Sequence, residues 1–365
     1  GKKALSAELA AGGLAEALRL GAEQSEIGVG VLDVNVGAPM VDETEVLPAL
    51  VQALASRFQE PLSLDTSNPE AMEAALKLSR YTQKKLGHPE RWRTIVFEGA
   101  FHGRTLTTVT AGGQPKYTGG FEPLVDGFDR ARFNDLTSAE TLIGPQTAAI
   151  LLEPVMGEGG VRVADPDFLQ ALRHLCDRHG LLLLLDEVQT GIGRTGALFA
   201  HEWLFAGTGM RPDIVATAKG LGAGFPVAAC LAAGPAATAF TQGAHGTTFG
   251  GNPLAMAVVN AVLDQVLAPG FLARVRETGD LLERRLRNLQ AAFPSLVQQV
   301  RGHGLMRGLR LSFAPPDLVR AAFAQRLLLV GAGDNTVRLL PPLIIGEAEV
   351  EAAMDRLFKA LRSLA

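Results

Sequence analysis

The chain of 365 residues is long enough to bury a large core and to form more than one domain. Hydrophobic residues make up 47% of it and charged residues 20%, which excludes an intrinsically disordered chain. The formal net charge of −4 and the lack of any lysine- or arginine-rich block argue against nucleic acid or an anionic membrane as a partner.

No targeting or membrane-spanning segment is predicted. The first residues, GKKALSAELAAGG, lack the apolar stretch of a signal peptide, and no run approaches the roughly 18 apolar residues of a membrane span. The two cysteines, Cys176 and Cys230, have no spacing typical of metal ligands, so no metal site is predicted. Reduced thiols in apolar surroundings favour a cytoplasmic protein.

Two hydrophobic periodicities alternate along the chain. Helical periodicity occurs in seven segments: 14–27, 43–57, 69–86, 166–179, 252–267, 271–292 and 346–363. Short apolar runs typical of strands are VLDVNV, PLSLD, TIVFE, AAILLEP, LLLLLDE, DIVATA and VAACLA. Several of these runs are apolar throughout, as in parallel strands that are buried on both faces. The alternation predicts an α/β fold with a mostly parallel sheet.

The pattern changes near residue 268. Beyond it, long helical segments surround a few strand-like runs, GLMRGLRL, RLLLV and TVRLLPP. This change predicts a smaller α+β domain over residues 268–365, following a larger domain that ends at residue 267.

Two predicted strands end in residues suited to covalent chemistry. LLLLLDEVQTG places Asp186 at the carboxyl end of a buried strand, where open α/β sheets bind ligands. DIVATAKGLGAGFP places Lys219 at the end of the next strand, before a glycine-rich turn that permits close approach. An amine and a carboxylate so placed suit pyridoxal 5′-phosphate, because one binds its aldehyde and the other keeps its pyridine nitrogen protonated. A surface lysine and an acid that caps a turn are the competing interpretations.

Two further motifs would complete such a site. AHGTTFGGNPLA, residues 244–255, offers hydroxyl groups and backbone N–H groups beside a helix start, which together suit a phosphate. FEGAFHGRTL offers Phe101 to lie on a cofactor face and Arg104 to bind a carboxylate. Taken singly, a core phenylalanine and a solvated arginine are simpler interpretations. The four motifs in combination predict a cofactor site.

From about residue 70 onward the chain resembles the class III, or ornithine-type, aminotransferases that depend on pyridoxal phosphate. The resemblance covers about four-fifths of the chain and is closest to the bacterial acetylornithine-type members. The motifs that carry it occur in family order: EAALKLSR, FEGAFHGRTL, ILLEPVMGEGG, LLLDEVQTGIGRTG, ATAKGLGAGFP, HGTTFGGNPLA, GLMRGL and NTVRLLPPL. It implies fold type I, with a cofactor-binding large domain over residues 77–267 and a small α+β domain over residues 268–365.

The resemblance also implies a set of cofactor contacts. Lys219 would form the Schiff base with pyridoxal phosphate and then shuttle the proton of the substrate Cα, and Asp186 would bind the pyridine nitrogen. Phe101 would stack on the ring, and Gln189 would bind the ring hydroxyl. Thr248 would bind the phosphate, in this family usually that of the neighbouring subunit, so a homodimer is expected.

A second set of residues would bind the substrates. By the same resemblance, Arg104 and Arg338 would bind substrate carboxylates, and Glu158 would screen an arginine when an amine is bound instead. The implied activity moves an amino group between an ornithine-type amine and 2-oxoglutarate, as in arginine biosynthesis. N-acetylornithine is the leading donor, and succinyl-diaminopimelate, ornithine and 4-aminobutyrate remain open.

Residues 1–76 do not follow this family. They lack its phosphate loop of the form S-G-T-E-A and instead resemble the start of a pterin-binding methyltransferase domain, a TIM-type (β/α)8 barrel. The matching stretches are GKKALSAELAAGGL, VLDVNVGAPMVDETEVLPALVQAL and PLSLDTSNPEAMEAALK. The resemblance implies that Asp33, Asn35, Asp65 and Asn68 bind the pterin. Side chains that cap turns at strand ends are the competing interpretation.

The chain is therefore predicted to be chimeric, with a junction at about residues 69–77. Too few barrel units precede the junction for a closed barrel, so pterin chemistry is not expected. PLSLD, TSN and PEAMEAALK would replace the family's strand, phosphate loop and helix, with PLSLD in the sheet position of the lost strand. Two competing functions follow: an inactive or weakly cofactor-binding relic, and a fragment of a pterin-dependent methyltransferase.

Overall fold

The computed structural model describes residues 32–34, 62–64 and 70–365 of the chain. The first two ranges form three-residue strands, β1 (Leu32–Val34) and β2 (Leu62–Leu64), which pair in parallel as a separate sheet. The predicted helices 14–27 and 43–57 lie outside the described residues.

The predicted pterin contacts also fall largely outside this range. Asp33 is described only as part of β1, without its side chain, and Asn35, Asp65 and Asn68 lie outside the described residues. These contacts stay predictions.

From residue 70 onward helices and strands alternate. The helices are α1 (Glu70–Lys85), α2 (Leu106–Gly112), α3 (Pro115–Thr118), α4 (Leu136–Glu140), α5 (Pro166–His179), α6 (His201–Leu204), α7 (Pro253–Val266), α8 (Phe271–Ala292), α9 (Pro315–Ala324) and α10 (Glu347–Arg362), with 3-10 turns at Lys219–Gly222 and Gly234–Thr238. The strands are β3 (Arg93–Phe97), β4 (Phe128–Ala131), β5 (Thr147–Leu152), β6 (Val155–Met156), β7 (Arg162–Val163), β8 (Leu182–Asp186), β9 (Ile214–Thr217), β10 (Ala229–Ala232), β11 (Val297–His303), β12 (Met306–Leu311), β13 (Val330–Ala332) and β14 (Thr336–Leu339). The five long helices predicted in this range are confirmed, whereas the short helices α2, α3, α4, α6 and α9 were not predicted.

A six-stranded sheet forms the centre of the N-terminal half, in the order β10-β9-β8-β5-β3-β4. All neighbours are parallel except β10, which runs antiparallel to β9. Every residue of β5 and β8 is buried, as their uninterrupted apolar sequences predicted. The mostly parallel sheet is confirmed.

Alternate side chains of these strands pack on two different layers of helices. Ile150 and Leu183 face the cluster that contains α5, whereas Leu151 and Leu184 face the cluster that contains α1. Because both faces are covered, the sheet edge at the carboxyl ends of the strands is where loops can form a site.

The edge of this sheet at β10 differs from the sequence prediction. PLSLD was predicted to add a strand to the large sheet, but its residues Leu62–Leu64 pair with β1 and β10 remains the last described strand. That prediction is wrong. Ala229 and Cys230 of β10 are half-buried, and Leu231 and Ala232 are exposed.

The C-terminal part contains a second sheet, in the order β11-β12-β14-β13, with antiparallel neighbours throughout. Helices α8, α9 and α10 pack on it through a core of their own. Within the described ranges, no single helix has the length and apolarity to cross a membrane. Only the pair α7 and α8, bent by 67°, meets those criteria jointly.

Candidate active site

Four neighbouring strands, β9, β8, β5 and β3, direct their carboxyl ends to one edge of the large sheet. Asp186 is the last residue of β8 and lies in register with Ala216, three residues before Lys219. The segments that follow β5 and β3 contain Glu158 and Phe101. The sheet topology therefore brings these predicted residues to the same edge.

Lys219 adopts a backbone conformation that is rare for a lysine. Its φ is 44°, in the left-handed region, and it opens the 3-10 turn after β9. Its side chain is exposed, and no partner of its amine is found in the described part of the chain. The turn packs closely on a neighbouring loop, because a Cβ added at Gly220 would lie 3.3 Å from the Cβ of Ile192. Strain of this kind concentrates at functional sites, which favours a catalytic lysine over a surface charge.

Asp186 is buried, and both of its carboxylate oxygens accept hydrogen bonds. Nδ1 of His102 lies 2.8 Å from Oδ2 of Asp186, and the backbone N–H of Val188 donates to Oδ1 at 3.1 Å. Burial alone lowers the pKa of His102, but the hydrogen bond and charge of Asp186 raise that pKa above its ordinary value. His102 therefore fixes the position of the Asp186 carboxylate through a contact between two buried side chains.

A second buried acid, Glu153, lies behind Phe101. Its Oε1 accepts the backbone N–H of Phe101 at 2.8 Å, and its Oε2 accepts that of Gly157 at 3.2 Å. Burial and the negative charge of Asp186 raise the pKa of Glu153 to about 7, although His102 and the two backbone donors oppose the shift. Glu153 thus fixes the backbone of the predicted ring-stacking residue.

The C-terminal sheet contributes Arg338 to the same region. This buried side chain, in β14, places Nη1 2.7 Å from Oε1 of Glu158 and donates to Oε1 of Gln189 at 3.3 Å. Its Nε is buried with no partner among the described residues. The structure thus brings together three predicted residues from three separate segments.

Arg104 and Phe101 both pack against the ring of Tyr117. The guanidinium carbon of Arg104 lies 5.5 Å from the ring centroid of Phe101 and 4.3 Å from that of Tyr117. Phe101 is only half-buried, which argues against a simple core role, and the exposed Arg104 is held against the ring of Tyr117.

Thr248 is a predicted site residue that makes no contact with the others in the described part of the chain. It is exposed in the loop before α7, and no hydrogen bond joins it to the other predicted residues within the described chain. A cavity of about 540 Å³ is lined by Gly99, Gln114, Lys116 and Arg130, among others, but by none of the predicted site residues.

Comparison with known proteins identifies the family. The model of the aminotransferase class-III family matches residues 32–361. The chain is a class III aminotransferase. The family match begins at residue 32, inside the segment that resembles a pterin-binding domain. The match therefore gives no support to that resemblance.

Relatives of this class III aminotransferase include named enzymes. The acetylornithine aminotransferase of Brucella melitensis is 52% identical over 309 residues, covering 85% of this chain and 76% of the relative. That of Mesorhizobium japonicum is 53% identical over 308 residues, covering 84% and 76%.

Solved structures share the fold. N-acetylornithine aminotransferase from Stenotrophomonas maltophilia superposes with a TM-score of 0.68 at 36% identity, covering 87% of this chain and 78% of that one. An ornithine aminotransferase from Toxoplasma gondii, with pyridoxal phosphate partly occupying its active site, gives 0.76 at 30% identity, covering 82% and 72%. The predicted aminotransferase fold is confirmed.

Class III aminotransferases depend on pyridoxal 5′-phosphate, and the described residues fit this cofactor. The carboxylate of Asp186 accepts two hydrogen bonds out of about four that it can accept, so it can also bind a pyridine N–H. Gly157 is needed for the position of Gln189. Any residue with a Cβ at position 157 would clash with the amide oxygen of Gln189, since that Cβ would lie only 2.1 Å from it. On the phosphate side, residues 65–69 lie outside the described range.

Three residues of the site were missed by sequence reasoning, among them Tyr117, which none of the quoted motifs contains. His102 lies in the quoted motif FEGAFHGRTL, but nothing local distinguishes it from a core histidine. Glu153 follows a buried strand, which is the same signal that identified Asp186, and that signal could have identified it.

Proposed function

We propose that this class III aminotransferase transfers the amino group of N-acetylornithine to 2-oxoglutarate, an arginine-biosynthetic reaction. Relatives at 50–53% identity, named acetylornithine aminotransferases, support this choice of donor. The observation that carries the proposal is the ion pair between Glu158 and Arg338. While it is closed, Arg338 is neutralised for an amine substrate, and when it opens, Arg338 can bind the carboxylate next to the reacting carbon of 2-oxoglutarate, which N-acetylornithine lacks.

We assign the cofactor contacts as follows. Lys219 Nζ would hold the cofactor through its aldehyde, and Asp186, supported by His102, would hold a proton at the pyridine nitrogen. When bound, pyridoxal phosphate supplies an electron sink for the pair left behind on a deprotonated substrate carbon. Phe101 would lie on the ring and Gln189 at its hydroxyl. After the substrate amine displaces it, the free Nζ of Lys219 would move the proton of the substrate carbon that carries this amine.

We assign the substrate contacts to Arg104, Arg338 and Glu158. Arg338 would bind the carboxylate next to the reacting carbon of 2-oxoglutarate, and Arg104 would bind the distal carboxylate, which N-acetylornithine also has. With N-acetylornithine bound, Glu158 would keep Arg338 paired, which avoids leaving a buried cation uncompensated.

We propose a homodimer in which Thr248 binds the phosphate of the neighbouring subunit. Large apolar side chains beside it support this, since Phe249 is 78% and Leu254 62% exposed in the single chain. We also keep the prediction of a cytoplasmic location, which the two free cysteines, Cys176 and Cys230, support.

We retain the resemblance of residues 1–76 to a pterin-binding domain as a separate proposal about this segment. Parallel pairing of β1 with β2 supports it, since successive strands of a barrel pair in this way. We propose no pterin chemistry for the chain.

The test of the proposed function is Lys219→Ala. We expect loss of the visible absorbance band that borohydride removes, and loss of transamination with either substrate, while far-UV circular dichroism is unchanged. Lys359→Ala, which removes an exposed lysine of α10, is the matched control and should retain both signals. Turnover by the Lys219→Ala protein would contradict the cofactor assignment.

The same preparation tests the competing functions. An unmodified protein with neither the band nor turnover in excess cofactor would indicate the relic. Folate binding without the band would indicate the methyltransferase fragment. Relative kcat/KM for N-acetylornithine, succinyl-diaminopimelate, ornithine and 4-aminobutyrate decides the donor.

A further inference from the structure

Tyr117, which no sequence motif identified, packs against a proposed substrate-binding arginine. It lies in α3, half-buried, with its ring centroid 5.3 Å from that of Phe101 at an interplanar angle of 67°. The guanidinium carbon of Arg104 lies 4.3 Å from the same ring centroid. A cation at this distance from an aromatic ring is attracted by the negative potential of its face.

The position of α3 is fixed relative to the site. Nε2 of Gln114, the residue before α3, donates to the carbonyl oxygen of Ala100 at 2.8 Å and to that of Gly99 at 3.2 Å. These carbonyls immediately precede Phe101, whose N–H is held by Glu153. Through Gln114, the start of α3 is therefore anchored to the backbone just before Phe101, which fixes Tyr117 relative to Phe101.

Arg104 can bind a substrate carboxylate only if its N–H donors are not already occupied by a protein carboxylate. No ion pair between Arg104 and a carboxylate is found among the described residues. A protein carboxylate would occupy the in-plane N–H donors and compete with the substrate. An aromatic ring restrains the guanidinium while leaving those donors available for a bidentate carboxylate.

We propose that Tyr117 is a positioning residue for Arg104 and thereby sets the affinity for the carboxylate substrate. Its ring holds the guanidinium so that the N–H donors are already oriented when the carboxylate of 2-oxoglutarate arrives. This inference rests on the substrate-binding role proposed above for Arg104.

The test is steady-state kinetics of Tyr117→Leu with 2-oxoglutarate as the varied substrate. We expect KM to rise about three- to tenfold, the range of a cation–π contact at a partly exposed site, with kcat within about twofold. Tyr117→Phe keeps the ring and should restore the KM. Lys116→Gln removes the ammonium that lies 4.5 Å from the same ring centroid and should leave KM within about twofold.

A double variant separates positioning from a structural role. Arg104→Lys loses the planar guanidinium, and adding Tyr117→Leu to it should change KM by less than about twofold. A readout independent of turnover is the rise in thermal midpoint caused by 2-oxoglutarate, which Tyr117→Leu should reduce and Tyr117→Phe should retain.

The possible failures are distinguishable. If Arg104→Lys raises KM but Tyr117→Leu does not, the inference is overturned and the proposed function stands. A Tyr117→Leu protein with lower kcat, a lower thermal midpoint and unchanged KM would also overturn it, since the role would be structural. If Arg104→Lys leaves KM unchanged, the proposed role of Arg104 fails, and the inference fails with it.

Discussion

A buried carboxylate can hold a proton on a ring nitrogen only if it stays ionised itself. In this protein His102 contacts one carboxylate oxygen of Asp186, and burial together with the negative charge of Asp186 raises the pKa of Glu153, a second buried acid. The three groups form one electrostatic unit, so a change in one alters the others.

Asp186→Asn tests this unit at its centre. An amide cannot balance the charge of a protonated ring nitrogen, so we expect the cofactor to bind while deprotonation of the amine-bearing carbon slows by about 10²–10³-fold, the size of one lost preorganised contact. Single-turnover absorbance with N-acetylornithine measures this step. A rate within a few-fold of the unmodified protein would contradict the role of Asp186.

Glu153→Gln should change the pH dependence of stability. The pKa of Glu153 is raised from 4.5 to about 7, so between these values the folded protein binds more protons than the unfolded chain. Stability from this group is therefore present below about pH 4.5 and is lost as pH rises through about 7, by up to about 3 kcal/mol.

The measurement is the thermal midpoint at several pH values between 5 and 8 (roughly the window of the shift). The glutamine also places an NH₂ group against the N–H of Gly157, which costs a constant amount, so slopes rather than absolute midpoints are compared. Equal slopes for both proteins would show that Glu153 does not titrate in this window.

At the scale of elements, the segment from Glu187 to α6 joins the two sheets. Glu187 is fully buried and accepts the N–H groups of Ala200 and His201, which closes the base of this loop. At its tip, Nη1 of Arg194 donates to the carbonyl oxygens of Leu305 and Pro341 in the C-terminal part. The loop contains Gln189, and Pro341 follows the strand of Arg338, so the loop fixes their separation.

Arg194→Leu should therefore weaken the whole protein. Burial lowers the pKa of Arg194 to about 10, so it is protonated at neutral pH, and its loss leaves two partly buried carbonyls without this donor. We expect a loss of about 2–4 kcal/mol in unfolding free energy, measured by urea unfolding. Arg211→Leu, at an exposed arginine, is the control, and equal losses in both variants would contradict this account.

At the scale of the whole molecule, the atypical junction should weaken cofactor binding. The family's phosphate loop places glycine and backbone N–H groups at a helix start, whereas here Pro69 removes a donor and Asp65 adds a negative charge. Replacing TSNPEAM, residues 66–72, with NSGTEAV should tighten binding by about 1–3 kcal/mol, roughly 5- to 150-fold.

Titration with pyridoxal phosphate measures this effect. Met72→Val alone is the control, because the replacement also shortens this buried side chain. Equal affinities of the replaced and unmodified chains would show that the present strand, loop and helix bind phosphate equally well.

Assembly belongs to the same scale. Leu254→Glu places a charge in the exposed apolar region next to Thr248, so we expect a smaller mass in light scattering and weaker cofactor binding. Leu328→Glu, at a leucine that is 50% exposed in the C-terminal part, is the control. A dimer that survives Leu254→Glu unchanged would place the interface elsewhere.

The local sequence pattern was sufficient to predict most of the long helices and the central strands of this protein. Apolar runs predicted β5, β8 and β9, because a strand buried on both faces needs apolar residues at every position. The same runs located Asp186 and Lys219, since a polar residue that ends such a run must lie at the sheet edge. Helical periodicity gave the five long helices within a residue or two of their observed ends.

Contacts between distant segments were decided only by the tertiary structure. The pairs His102–Asp186, Glu158–Arg338 and Arg104–Tyr117 depend on how strands and loops pack in three dimensions, which no local spacing encodes. The short helices have too few turns to show a period, and the position of PLSLD beside β1 depends on which strand edge is available. The sequence by itself therefore determined which residues end the strands, and folding decided which of them pair, because pairing depends on packing across the whole chain.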